Sequence, residues 1–126
     1  MNNATHESAT LTRRVTEADT AAQFGAAFPP AASTPFVLGL AEVACHQAVS
    51  PSLEDGQITV GTSAHIEHLA PTPVGEELTA EAVLRDRRGS RLDFEVEIRD
   101  HREVVARVQH GRAIVNRQRI LDRLTR

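Results

Sequence analysis

Lysine, tryptophan and tyrosine are absent from the 126 residues, cysteine occurs once, and the aromatic content of 3% is all phenylalanine. Without lysine there is no Schiff-base chemistry and no lysine-dependent phosphate loop. The lone Cys45 can build neither a disulfide framework nor a cysteine-rich zinc site. The few aromatics offer no stacking platform for bases, and a formal charge of -3 disfavours phosphate backbones, so nucleic acid is not an expected partner. Long apolar runs are missing too. The most apolar stretch, Pro35–Ala44, is too short to span a bilayer and contains Glu42. The polar opening MNNATHESAT has no secretory pattern, so the expectation is a cytoplasmic chain without membrane contact.

What is present fits one globular domain: 40% hydrophobic and 25% charged residues, over a length typical of a single core. Residues 1–9 read as a flexible tail and residues 10–126 as the domain. Leu11–Thr16 predicts a short strand, and Ala-rich Glu17–Phe28 a weak helix. Pro29, Pro30 and Pro35 break regular structure. Thr34 then reads as an N-cap with Pro35 at the first helical position. From Phe36 to Val49 the chain is apolar nearly all round, which predicts a helix enclosed by other structure.

Everything from Ile58 to Val115 reads as strand. Leu92, Phe94, Val96 and Ile98 alternate strictly with acidic residues, the pattern of a half-buried antiparallel strand. Turns are predicted at Asp86–Ser90 and Asp100–Arg102. The expected architecture is α+β: one short strand, one buried helix and four long strands in a meander, the sheet curling around the helix. Such a sheet has open edges, and edge-to-edge pairing with a second copy predicts a homodimer.

Several polar residues stand where the pattern wants apolar ones. Glu42 interrupts the helix on a stripe shared with Thr34 and Leu38. It has a partner, takes up a proton or faces a cavity, unless it simply lies at an exposed edge or contacts His46 one turn on. His68 falls on the strand face that alternation assigns to Val60, Thr62, Ala64 and Ile66. It is either a hydrogen-bonded core histidine or a general acid/base. The Thr34 hydroxyl either caps its own helix or is free for chemistry. His110 and Arg112 interrupt another apolar face and border a pocket or mark a strand leaving the core. Arg85, Arg87, Arg88 and Arg91 surround a turn and read as a solvated run, with phosphate contact the minority reading. His65 and His68 point to opposite faces of a strand and make a poor metal pair, so no metal site is expected.

Thr34-Pro-Phe-Val-Leu-Gly-Leu-Ala-Glu42-Val-Ala-Cys45, then Gly61 to Gly75 with His68 inside it, then His110-Gly-Arg112, resembles the fluoroacetyl-CoA thioesterase family of hot-dog-fold proteins. The likeness runs over about residues 10–120. It implies an antiparallel sheet wrapped around one long helix and extended across a homodimer. It also implies hydrolysis of an acyl-CoA thioester at the subunit interface, with no cofactor beyond the coenzyme A of the substrate. By position it implies Thr34, Glu42 and His68 as the catalytic trio. Gly61, Phe28, Phe36 and Arg112 are implied as substrate-binding. Whether Thr34 or Glu42 attacks the carbonyl stays open. The chain departs from the family in having Pro35, and its lid-like stretch Ala21–Ser33 is rich in Ala while keeping Phe24 and Phe28. A small acyl group is expected. Two rivals are an enoyl-thioester hydratase or dehydratase on the same fold, and a binding protein that holds an acyl thioester without turnover.

Overall fold

The computed structural model describes residues 7–125. The order is β1 (Ser8–Arg14), α1 (Thr34–Val49), β2 (Gln57–His68), β3 (Glu77–Arg88), β4 (Arg91–Arg99), β5 (Val104–Asn116) and α2 (Arg117–Leu124). Residues 1–6 of the expected tail lie outside the described residues, and Ser8 and Ala9 already pair with Val83 and Ala82 as the start of β1. The segment expected to be weakly helical makes two short 3-10 turns, Glu17–Asp19 and Ala21–Phe24.

All five strands form one antiparallel sheet, in the order β1-β3-β4-β5-β2. The meander holds for β3, β4 and β5 but not for β2, which pairs with β5 at the far edge. The reason lies in the β2–β3 connection. It carries Pro71 and Pro73, too rigid and too long for a tight reversal, and it is tied to the opposite side by the Ala31–Pro73 bridge and the Gly75 N–H to Val15 carbonyl bond. The hairpin between β3 and β4 turns at Gly89, whose φ of +62° is the left-handed conformation such a tight turn needs.

One face of the sheet is apolar and covered by α1. Val37, Ala41, Ala44, Cys45 and Val49 of the helix are fully buried, as are Leu78, Ala80, Leu92, Ile98 and Val105 of the sheet. The small Ala41, Ala44 and Cys45 let the helix approach the strands closely, which is why an apolar run with few large side chains suits this position. The other face carries Glu81, Glu97, Arg107 and Glu67 in one cross-strand row, a surface made for water.

A bulge in β2 decides what that strand offers the helix. The register against β5 shifts between Gly61 and Ser63, leaving Thr62 as the extra residue. Past the bulge, Ile66 and His68 face α1; before it, Thr59 and Gly61 do. Val60 and Thr62 therefore do not share the face of His68, contrary to simple alternation.

Candidate functional site

Two polar clusters sit between α1 and the sheet. The first lies at the head of the helix. Ser33, not Thr34, is the N-cap: its Oγ accepts the Phe36 N–H at 3.1 Å, with Thr34 and Pro35 in the first turn. Serine and threonine cap comparably well, and a proline is tolerated in the first turn, where its missing N–H has no carbonyl waiting for it. The correction has a chemical consequence, because the Thr34 hydroxyl is released from capping. Its Oγ1 lies 2.9 Å from Nδ1 of His68. Nε2 of His68 is buried and has no hydrogen-bond partner among the described residues. Burial lowers the His68 pKa from its ordinary 6.5, with the nearby Ala70 backbone pulling weakly the other way. The ring is therefore neutral near pH 7, able to take a proton from Thr34. An open cleft of about 390 Å³, lined by Ala21, Pro29, Ser33, Thr34, His68 and Leu69, leads to the pair.

Ser33 also decides which backbone donors remain at the helix start. Its side chain takes the Phe36 N–H and its carbonyl the Val37 N–H, while Pro35 has none. Among the described residues the Thr34 N–H is the donor of that turn with no partner.

Glu42 anchors the second cluster, eight residues along α1 and so about 12 Å down its axis. Its Oε2 lies 3.3 Å from Arg112 Nη1 and 3.5 Å from His110 Nε2. Nδ1 of His110 donates to the Ser63 carbonyl at 2.8 Å, which fixes the tautomer because a carbonyl only accepts. Nε2 of the neutral ring is then an acceptor and takes the Arg112 Nη1–H at 3.1 Å. Burial lowers the His110 pKa, and the Arg112 charge lowers it further, while the Ser63 bond and Glu42 act against them. Arg112 is thus the charge partner of Glu42.

Arg112 is itself held by Thr59, through Nε to Oγ1 at 2.8 Å and Nη2 to the backbone carbonyl at 2.9 Å. Oγ1 of Thr59 lies 2.7 Å from Nδ1 of His46. The expected contact between His46 and Glu42 is not made; His46 turns to Thr59 instead. The neighbouring thiol of Cys45 is pushed up to about 12 by burial, so no thiolate competes as a nucleophile.

Gly61 lies against this cluster. A Cβ there would come 2.5 Å from Glu42 Oε2, 3.3 Å from His110 Cε1 and 3.4 Å from Arg112 Nη1. The glycine is what lets the carboxylate lie over the strand.

The expected site residues thus divide. Thr34 joins His68, and Glu42 joins Gly61 and Arg112, but within one chain the carboxylate and the His68 imidazole belong to separate clefts. Phe36 packs half-buried against the core, whereas Phe28 is 52% exposed and lines neither cleft. His110 and Arg112, 4% and 9% exposed, are enclosed rather than on a strand leaving the core, and Arg112 borders the Glu42 cleft. Thr59 and the capping Ser33 were not singled out by sequence, and His46 was expected only as a contact of Glu42. The arginines of the β3–β4 turn mostly face carboxylates: Arg85 with Glu95, Arg87 with Glu7, Arg88 with Asp86 and Asp93. Among the described residues no group of three His, Cys, Asp or Glu is placed to hold a metal ion.

The profile of the fluoroacetyl-CoA-specific thioesterase family matches residues 15–118. A fluoroacetyl-CoA thioesterase of Streptantibioticus cattleyicolor is 37% identical over 91 residues, which make up 72% of this chain and 66% of that relative, just under two thirds of its length. A solved fluoroacetyl-CoA thioesterase superposes with a TM-score of 0.89 at 31% identity, covering 94% of this chain and 92% of the other. A mutant of such an enzyme, crystallised with fluoroacetate and CoA, gives 0.86 at 31% identity over 90% and 96% of the two chains. A hot-dog-like protein from Thermanaerovibrio acidaminovorans, 20% identical, gives 0.83 over 93% and 87%, a likeness of fold.

Proposed function

The chain belongs to the fluoroacetyl-CoA-specific thioesterase family, and from that premise we propose that it hydrolyses the thioester of a small acyl-CoA. The observation that carries this reading is the free Thr34 hydroxyl, 2.9 Å from a neutral His68, on the same helix as an anchored carboxylate. Hydrolysis consumes water and yields a carboxylic acid and the free thiol of CoA, so the balance needs no metal or redox partner. Coenzyme A enters only as part of the substrate. His68 takes the proton of the Thr34 hydroxyl, or of a water that this hydroxyl holds, and returns it to the departing sulfur. The Thr34 N–H, at the positive end of the α1 dipole, is placed to steady the developing oxyanion. Glu42 acts as base or as transient acyl acceptor.

Two turns of helix keep Glu42 and His68 of one chain apart, and a homodimer supplies the remedy. β2 is a sheet edge whose Gly61–His65 stretch is exposed, so pairing across it continues the sheet. The twofold then brings the Glu42 end of one helix toward the His68 end of its partner. No helix of the described residues is long and apolar enough to cross a membrane. A cytoplasmic setting, which suits the free Cys45, belongs to the same proposal.

The test is thiol release from short acyl-CoAs, with gel filtration alongside. Turnover by a species of twice the monomer mass is expected. Hydration of an enoyl-CoA without thiol release, or tight binding without turnover, overturns the hydrolase reading. The Gly61→Ala protein reports on the placement of Glu42. Because the obstructed atom is the end of a flexible side chain, the protein should fold normally while kcat falls about tenfold to a hundredfold as the carboxylate is displaced. Melting curves and steady-state kinetics check both halves.

A further inference from the structure

Behind Glu42 lies a partly buried hydrogen-bonded chain that the reaction as proposed does not use. We propose that Thr59 and His46 are positioning residues that hold the Arg112 guanidinium against Glu42. This rests on the reading of Glu42 as part of the hydrolytic site.

Arginine only donates, so each of its bonds has a fixed direction. Nε and Nη2 both go to one residue, to Oγ1 and the carbonyl oxygen of Thr59, and two bonds from one edge fix the plane of the guanidinium. Nη1 is left to point at Glu42 and His110. Since Thr59 Oγ1 accepts from Nε–H, its own proton must go elsewhere, and Nδ1 of His46 at 2.7 Å is there to accept it. His46 is then neutral and carries its proton on Nε2. Burial and the Arg112 charge both lower its pKa, which favours that form. Arg112 from β5 and Glu42 from its own helix are the charged groups that border His46 in its cleft.

Without the imidazole, the hydroxyl of Thr59, a residue only 6% exposed, loses the acceptor of its proton, and it rotates its lone pair away from Nε–H. Neither Thr59 nor His46 lies in the Thr34–His68 cleft. They share the Glu42 cleft and are tied to the carboxylate through Arg112, so their effect is expected on the chemical step.

Four variants test this: Thr59→Val, Thr59→Ser, His46→Leu and His46→Gln. Thr59→Val and His46→Leu should lower kcat about tenfold with KM within about twofold, while Thr59→Ser and His46→Gln, which keep the hydroxyl and an acceptor, return to within about threefold of wild type. A second readout needs no substrate. The Arg112 Nε proton, followed by NMR, should exchange slowly in wild type and in Thr59→Ser, and at least about tenfold faster in Thr59→Val. Wild-type kcat with a slowly exchanging Nε proton in Thr59→Val overturns the proposal. So does a Thr59→Ser protein as slow as Thr59→Val, which would make the effect one of packing. A wild type that releases no thiol from any acyl-CoA sinks the reaction reading alone, and the proton-exchange arm still decides the positioning.

Discussion

Glu42→Gln is expected to lower kcat for acyl-CoA hydrolysis by about a hundredfold to ten-thousandfold, the range lost with a general acid/base group. The amide keeps the shape of the carboxylate and can still accept a bond from Arg112 Nη1, but it can neither take a proton nor form an acyl intermediate. The fold should hardly notice. The Glu42 side chain is 44% exposed, and an ion pair so open to water contributes at most about 1 kcal/mol. Arg112 keeps both bonds to Thr59 when the negative charge is gone. A large kinetic loss with an unchanged melting curve is the expected pairing. A rate within threefold of wild type would remove Glu42 from the chemistry.

His68→Ala is the second large effect, again about a hundredfold to ten-thousandfold in kcat. Here pH gives the signature. The neutral ring is the form that accepts the Thr34 proton, and burial holds its pKa below the ordinary 6.5. The acid limb of wild-type activity should therefore be centred below pH 6.5, at the lowered value. The residual activity of His68→Ala should lack that step. Stability moves the same way: with folded values of His46, His68 and His110 all below 6.5, the unfolded chain binds protons first on acidification. Stability is thus complete above pH 6.5 and is lost as the pH falls toward each lowered value. An acid limb centred above 6.5, or one shared by His68→Ala, would count against His68 as the base.

Much of this site could be read from the chain, and the parts that could not have definite physical causes. The apolar run after Pro35 announces an enclosed helix, and the alternation from Leu92 to Ile98 a half-buried strand, because both patterns come from burial. Which strand neighbours which is another matter. The side chains of β2 say that it belongs to a sheet but not that β5, rather than β3, is its neighbour. Ser33 and Thr34 are both good caps side by side, and only the entry angle of the chain selects one. The partner of Glu42 lay 70 residues away, on a strand whose polar positions alone could not separate a pocket from an exit.

The extra residue in β2 acts as a change of reading frame. A regular strand shows one parity of its residues to a helix along its whole length. On such a strand Thr59 and Gly61 would look inward only if Ile66 and His68 looked out. The insertion at Thr62 lets a single strand serve both ends of the helix, the anchored arginine at one and the imidazole at the other. Pairing the same residues with β5 in regular register, without the bulge, would not merely straighten the strand. It would turn one of the two groups to the water side, and the protein would keep its sheet while losing half of what the sheet is for.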